Sequence, residues 1–162
     1  MNWIQRLIGR FDRHLLTMDF WSVPQEEVAL TGGAGDKALP SVTIADLPDG
    51  ATIVRAIAMF KCRMIENHTY AGVNSLDGAQ EIQVKPTAGA YTDAINFVDE
   101  QFTLAQDTRE GGDVIIGAID VSGSGKVEAD GVYDFQWDAA LAQEDGIKFN
   151  DVQVGLRILY SV

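Results

Sequence analysis

The sequence is poor in the residues that carry much of protein chemistry. It has one cysteine, Cys62, and two histidines, His14 and His68, among 162 residues. A lone cysteine excludes an internal disulfide framework and a cysteine-based zinc site. Two histidines leave little for histidine-rich metal chemistry, so neither a metal nor a cofactor is expected. Basic residues are scarce too: 12 Lys and Arg face 24 Asp and Glu, for a net charge of −12 and a pI near 4.3. Coating DNA or RNA needs a cationic surplus, so no nucleic-acid partner is expected. No apolar run approaches the roughly 18 residues of a membrane span. A signal peptide is not expected either, because Arg6, Arg10 and Arg13 interrupt the apolar stretch it needs. Synthesis in the cytoplasm follows, where a reduced thiol is ordinary.

What remains suffices for one domain with a buried core: 46% of residues are apolar and 22% charged. The first 17 residues stand apart. Trp3, Ile4, Leu7, Ile8, Phe11 and Leu15 fall on one stripe of an α-helix, flanked by Arg6, Arg10 and Arg13. With Asp12 its only acid, this arm carries +2, which leaves −14 on residues 18–162. Met18 would also make a sensible start, which would make the arm an upstream extension.

From Ser22 on, extended segments alternate with turns. Glu27–Thr31, Ser41–Ile44, Ala79–Lys85, Tyr91–Phe97, Gln101–Ala105, Asp113–Val121, Lys126–Ala129 and Val132–Trp137 read as short strands, with a helical turn over Asp93–Phe102 as the alternative there. Thr52–Glu66 is the longest, with Val54, Ala56, Ala58, Phe60, Cys62 and Met64 on one face, and Cys62 is expected to be buried there. Asp151–Val162 alternates most clearly. Ala139–Gln143 allows a helical turn, and Arg109-Glu110-Gly111-Gly112 reads as a turn. Four Asp-Gly pairs suit tight hairpins. The pattern predicts an all-β antiparallel sandwich, jelly-roll-like, of about 8–10 strands behind a short N-terminal amphipathic helix. The domains are then an arm at 1–17 and a sandwich at 18–162.

Motifs of known chemistry fail on context. Gly33-Ala34-Gly35-Asp36-Lys37-Ala38 has dinucleotide-loop spacing, but Pro40 stops the helix such a loop must open. Gly123-Ser124-Gly125-Lys126 lacks the other residues of a phosphate loop. Asp120–Gly125 begins like a calcium loop and ends without the acid at position twelve, leaving at most a weak calcium site among Asp113, Asp120, Asp130 and Asp134. His14 and His68 read as surface or packing residues, and Asn67-His68-Thr69 is a sequon only in name. No catalytic residue is expected. Trp21 and Trp137, with Phe20 and Phe135, suit either a sugar-binding platform or the core, and the shared face of Phe135 and Trp137 favours the core. A carboxylate hydrolase needs only two acids at the right separation, and a chain this acidic does not discriminate.

The chain resembles small virion structural proteins of tailed phages. The likeness rests on the N-terminal arm, the Leu47-Pro48-Asp49-Gly50 turn before a long strand, and the terminal strand Asp151-Val152-Gln153-Val154-Gly155-Leu156-Arg157-Ile158-Leu159-Tyr160. It implies a jelly-roll or immunoglobulin-like sandwich, a place in the virion, and assembly as a homo-oligomer or with other virion proteins. No catalytic residue carries over. Trp3, Ile4, Leu7, Ile8, Phe11, Arg6, Arg10 and Arg13 are then the expected partner-binding residues. A carbohydrate-binding module and a carboxylate-dependent hydrolase are the alternatives.

Overall fold

The computed structural model describes residues 15–29, 36–67, 74–76, 81–96, 102–104, 109–111, 114–138 and 147–162. Residues 1–14, where the amphipathic helix is expected, with His14, and also His68 and Ala139–Gln143, lie outside the described residues. Among those described there is no helix, and thirteen strands form. These are β1 (Leu15–Trp21), β2 (Gln25–Ala29), β3 (Lys37–Ile44), β4 (Thr52–Lys61), β5 (Met64–Asn67), β6 (Asn74–Leu76), β7 (Glu81–Pro86), β8 (Thr92–Asn96), β9 (Phe102–Leu104), β10 (Arg109–Gly111), β11 (Val114–Asp120), β12 (Gly131–Asp138) and β13 (Ile147–Ser161).

A single rule organises the pairing. Leu15 faces Ser161, Ala29 faces Lys148, Ile44 faces Gly131, Lys61 faces Val114, Glu66 faces Arg109, Asn74 faces Leu104 and Ile82 faces Ile95. In all the pairings of these seven ladders the two residue numbers add to between 174 and 178. The described chain is thus one long antiparallel ribbon. Its tip lies at Thr87–Gly89, where the Gly89 amide donates to the Pro86 carbonyl at 2.7 Å.

The ribbon folds back on itself into two facing antiparallel sheets. In one, β13 lies between β1 and β2 on one side and β4 and β5 on the other, with β11 and β10 outermost. The other runs β3-β12-β7-β8, and β6 pairs with β9. Alternation along β13 sends Val152, Val154, Leu156, Ile158 and Tyr160 inward, all buried. Ala56, Ala58, Phe60 and Cys62 of β4 and the residue after it meet them from the neighbouring row, and Tyr133, Phe135 and Trp137 of β12 face them from the opposite sheet. Trp137 lies 5.8 Å from Phe60 edge-on and 4.8 Å from Phe149, centroid to centroid. These aromatic contacts join the two sheets.

Several expectations need correction. Leu15–Thr17, counted with the helical arm, are strand, paired with Ser161–Leu159. Thr52–Glu66 is two strands. Asp151 has a positive φ of 52°, and opposite it the chain breaks at Cys62-Arg63, where the Arg63 amide donates to the Asn150 carbonyl at 2.8 Å and its guanidinium pairs with Asp151. Val54 is exposed because the register shifts beside it, between Leu159 and Tyr160. Lys126–Ala129 is loop, joined to Ser122 by an isolated bridge. Arg109–Gly111 is strand where a turn was expected.

Candidate functional site

The end of the sandwich where β1 begins combines a cavity with exposed apolar side chains. The loop from β3 to β4 bends through Asp46 (φ 62°) and Gly50 (φ 81°), and the Ala51 amide donates to the Pro48 carbonyl at 2.9 Å. A non-glycine residue with positive φ is uncommon, and aspartate tolerates it better than most. The loop from β11 to β12 is pinned by the Tyr133 hydroxyl, which donates to the Ala129 carbonyl at 2.7 Å. Between these loops lies a cavity of about 220 Å³, with Leu47, Ala51 and Ile53 beneath and Asp49, Glu128 and Asp130 at its rim. Leu15, Leu16, Val54 and Val162 stand at the same end of neighbouring rows, exposed by 60, 44, 50 and 63%. Leu15 faces Ser161, which faces Thr52 beside the cavity wall. Two strand spacings, about 10 Å, separate the β1 row from that wall.

The outer face of β1 and β13 holds a polar clamp. Asp19 stands opposite Arg157 and accepts two bonds from its guanidinium, at 2.8 and 2.7 Å. Those bonds hold the Asp19 carboxyl below its ordinary pKa. Trp21 lies over Gly155, with the Lys61 ammonium 4.2 Å from its ring centroid. Ser22 fills the break between β1 and β2. It donates its amide to the Val154 carbonyl at 2.9 Å and accepts the Val154 amide on Oγ at 3.1 Å.

The outer face of β3-β12-β7-β8 is acidic. Gln83 Nε2 reaches Asp93, Asp138 and Glu81 at 3.3, 3.4 and 3.5 Å, and Gln136 Nε2 reaches Asp36 at 3.2 Å. Glu81 and Asp138 are directly opposed. Burial, then Asp93 and Asp138, raises the Glu81 pKa, while burial, then Asp36 and Asp93, raises that of Asp138. A carboxyl raised in the folded state keeps its proton longer there than in the unfolded chain. This contribution therefore weakens as pH rises through the raised value and returns on acidification. Glu81→Gln should stabilise the fold at neutral pH by about 0.2–1 kcal/mol, the range for a cross-strand like-charge pair. The gain should vanish at acidic pH, where both forms are neutral. Urea melts at the two pH values measure this, and an unchanged neutral midpoint would contradict it.

The remaining candidates divide clearly. Cys62 is buried, as its strand face implied. Trp137 is fully buried between the sheets, which corrects its candidacy as a ligand aromatic: its parity on β12 turns it inward. Trp21 is half-buried under Lys61. Trp3, Ile4, Leu7, Ile8, Phe11, Arg6, Arg10 and Arg13 lie outside the described residues, as do Gly33–Gly35 and Asp113. Lys37 and Ala38 open a strand rather than the helix a dinucleotide loop requires. Gly123 and Gly125 make a tight turn with positive φ. Burial pushes the Asp120 pKa up, but the bonds it accepts from the Ser122 hydroxyl at 2.6 Å and amide at 3.0 Å, together with the Ala56 backbone and the nearby Arg55 charge, bring it below the ordinary value. Among the described residues no group of three or more His, Cys, Asp or Glu is placed to hold a metal ion. The cavity acids Asp49, Glu128 and Asp130 are exposed. Sequence reasoning missed both the cavity and the acidic face, because each is assembled from strands and loops far apart in the chain.

No protein family matches the sequence, and no curated protein matches it. Solved structures similar to the chain include the T13 particle of infectious bursal disease virus, at 7% identity and a TM-score of 0.43 over 90% of this chain and 31% of that one. Murine APRIL is similar over 89% of this chain and 100% of its own, at 9% identity and a TM-score of 0.35. Tobacco streak virus coat protein is similar over 90% and 86%, at 14% identity and a TM-score of 0.31. The chain spans about a third of the length of the bursal-disease-virus chains. All these TM-scores lie below 0.5.

Proposed function

We propose that the protein is a non-enzymatic structural subunit of a phage-like virion, made in the cytoplasm, that works by protein–protein assembly with copies of itself or with other virion proteins. The observation that carries this reading is the exposure of Leu15, Leu16, Val54 and Val162 at the same end of three neighbouring rows, β1, β4 and β13. Exposed apolar surface of this kind is what an assembly contact would cover. The arm joins the body at this end, and its apolar stripe needs a surface to cover it.

A jelly roll is the fold this reading takes, and the strand succession supports it. Leaving aside the separate β6–β9 pair, and counting β1 with β2, β4 with β5 and β10 with β11 as single rows, gives eight rows. In chain order they stand 1-8-3-6 in one sheet and 2-7-4-5 in the other, which is a nested ribbon wound over a core. A sugar-binding module would have to rely on Trp21 without Trp137, since the latter is enclosed.

Light scattering and native mass spectrometry of the full chain test the reading. A species larger than one chain, growing with concentration, is expected. A strict monomer at high micromolar concentration that also binds no virion component would overturn it.

A further inference from the structure

We propose that Gln83 and Gln136, with the carboxyl groups around them, form a proton-operated latch that holds the edge strand β8 more tightly in acid than at neutral pH. Alternation turns Glu81, Gln83 and Lys85 of β7 and Asp134, Gln136 and Asp138 of β12 to the outer face of their sheet. Gln136 Nε2 donates to Gln83 Oε1 at 2.8 Å, which joins the two strands through their side chains, and it also reaches Asp36 at 3.2 Å. Gln83 Nε2 has more to serve. Asp93, Asp138 and Glu81 lie around it at 3.3, 3.4 and 3.5 Å. An amide nitrogen carries two hydrogens, so one of those three carboxylates faces the others without a donor. A proton held by one carboxyl supplies the missing bond.

The charges that each described strand of the sheet brings to this network are mostly negative: Asp36 just before β3, Asp134 and Asp138 from β12, Glu81 from β7 and Asp93 from β8. Lys85 stands opposite Asp134, and its ammonium lies 4.7 Å from the ring centroid of Tyr91. Lys37 is in register with the inward-facing Trp137, on the other face. Glu81 and Asp138 accordingly keep their protons to higher pH than usual, through burial first and the neighbouring carboxyl groups next. Strand β8 feels the balance most. Among the described strands it pairs with β7 alone, and its Ala94 and Ile95 are buried at the margin of the core. In acid a shared proton ties Asp93 to Glu81 and Gln83; at neutral pH the same contact is a repulsion. Parting of β8 returns Glu81 towards its ordinary pKa, so the closed sheet binds more protons than the open one. Closure is therefore favoured in acid and weakens as pH rises from the ordinary carboxyl range through the raised value.

The test is hydrogen exchange of the full chain at about pH 4 and about pH 7.5, with each rate corrected for the intrinsic pH dependence of exchange. Opening at Thr92–Asn96 should be roughly two- to fivefold more frequent at neutral pH, the range set by opposed like charges across a strand pair. The β4–β13 ladder should show no such change. Asp93→Asn removes the charge that β8 brings, and should keep β8 closed at both pH values. Glu81→Gln should do the same from the other side of the contact. Asp130→Asn, which removes one acid near the opposite end of β12, should leave the response intact. An opening of β8 that ignores pH, or that responds as strongly in Asp93→Asn and Glu81→Gln as in the native chain, would overturn the latch. An equal response throughout the β4–β13 ladder would overturn it too, by tracing the effect to the overall charge of −12.

Discussion

Trp137→Ala is expected to lower the unfolding free energy by about 3–5 kcal/mol, the usual cost of deleting a large buried aromatic. A domain of this size commonly has about 5–15 kcal/mol in total, so the variant should be marginal at room temperature. The reason is geometric. Trp137 is fully buried, stands in register between Lys37 of β3 and Ile82 of β7, and contacts Phe60 and Phe149 of the facing sheet. Removing it opens a void across both sheets that the ladders around it prevent from collapsing. Urea unfolding followed by circular dichroism measures the loss, and Trp137→Phe should recover a large part of it. A cost below about 1 kcal/mol would mean that Trp137 does not plug the space between the sheets. The same burial separates stability from ligand binding, since of Trp21 and Trp137 only the first is not fully buried.

The alternation of β13 and the inward face of β12 were legible in the sequence because side-chain period alone decides which residues face the core. The buried Cys62 followed from the same parity. The break at Cys62-Arg63 was not legible. It depends on Asp151 adopting a positive φ in the opposing strand, and nothing local to residues 52–66 signals it. Strand β1 was misread in its first residues because Leu15 fits a helical stripe. Its pairing with Ser161, across almost the whole chain, overrides that local preference. The acidic face was hidden for the same reason. Asp36, Glu81, Asp93 and Asp138 come from separate segments and meet only once the ribbon has folded. The cavity needs two loops some 80 residues apart, Leu47–Ala51 and Glu128–Asp130. Pairings of such long range also make the fold slow to find, since loop closure precedes most of the contacts that reward it.

Gly155→Ala is expected to loosen β1 while leaving the rest of the sandwich folded, and with it the anchorage of the arm. A Cβ at Gly155 would lie 2.8 Å from Cε3 of Trp21 and 2.9 Å from the carbonyl oxygen of Phe20. The indole can swing aside only by giving up Lys61, and the carbonyl belongs to the neighbouring strand, which cannot retreat without parting from β13. Overpacking of this kind costs about 1–3 kcal/mol. The cost should fall on β1, an edge row held by β13 alone in its own sheet, rather than on β4, which pairs with β13 and β11 on its two sides. Hydrogen exchange should show lost protection at Thr17–Trp21 with the β4–β13 ladder still protected. Adding Trp21→Ala should relieve part of the clash, a non-additive signature of direct contact. If assembly depends on an arm delivered by β1, the Gly155→Ala protein should be folded and monomeric at concentrations where the native chain is assembled. Full retention of both β1 protection and assembly would show that the close approach of Trp21 to Gly155 does not hold the arm in place.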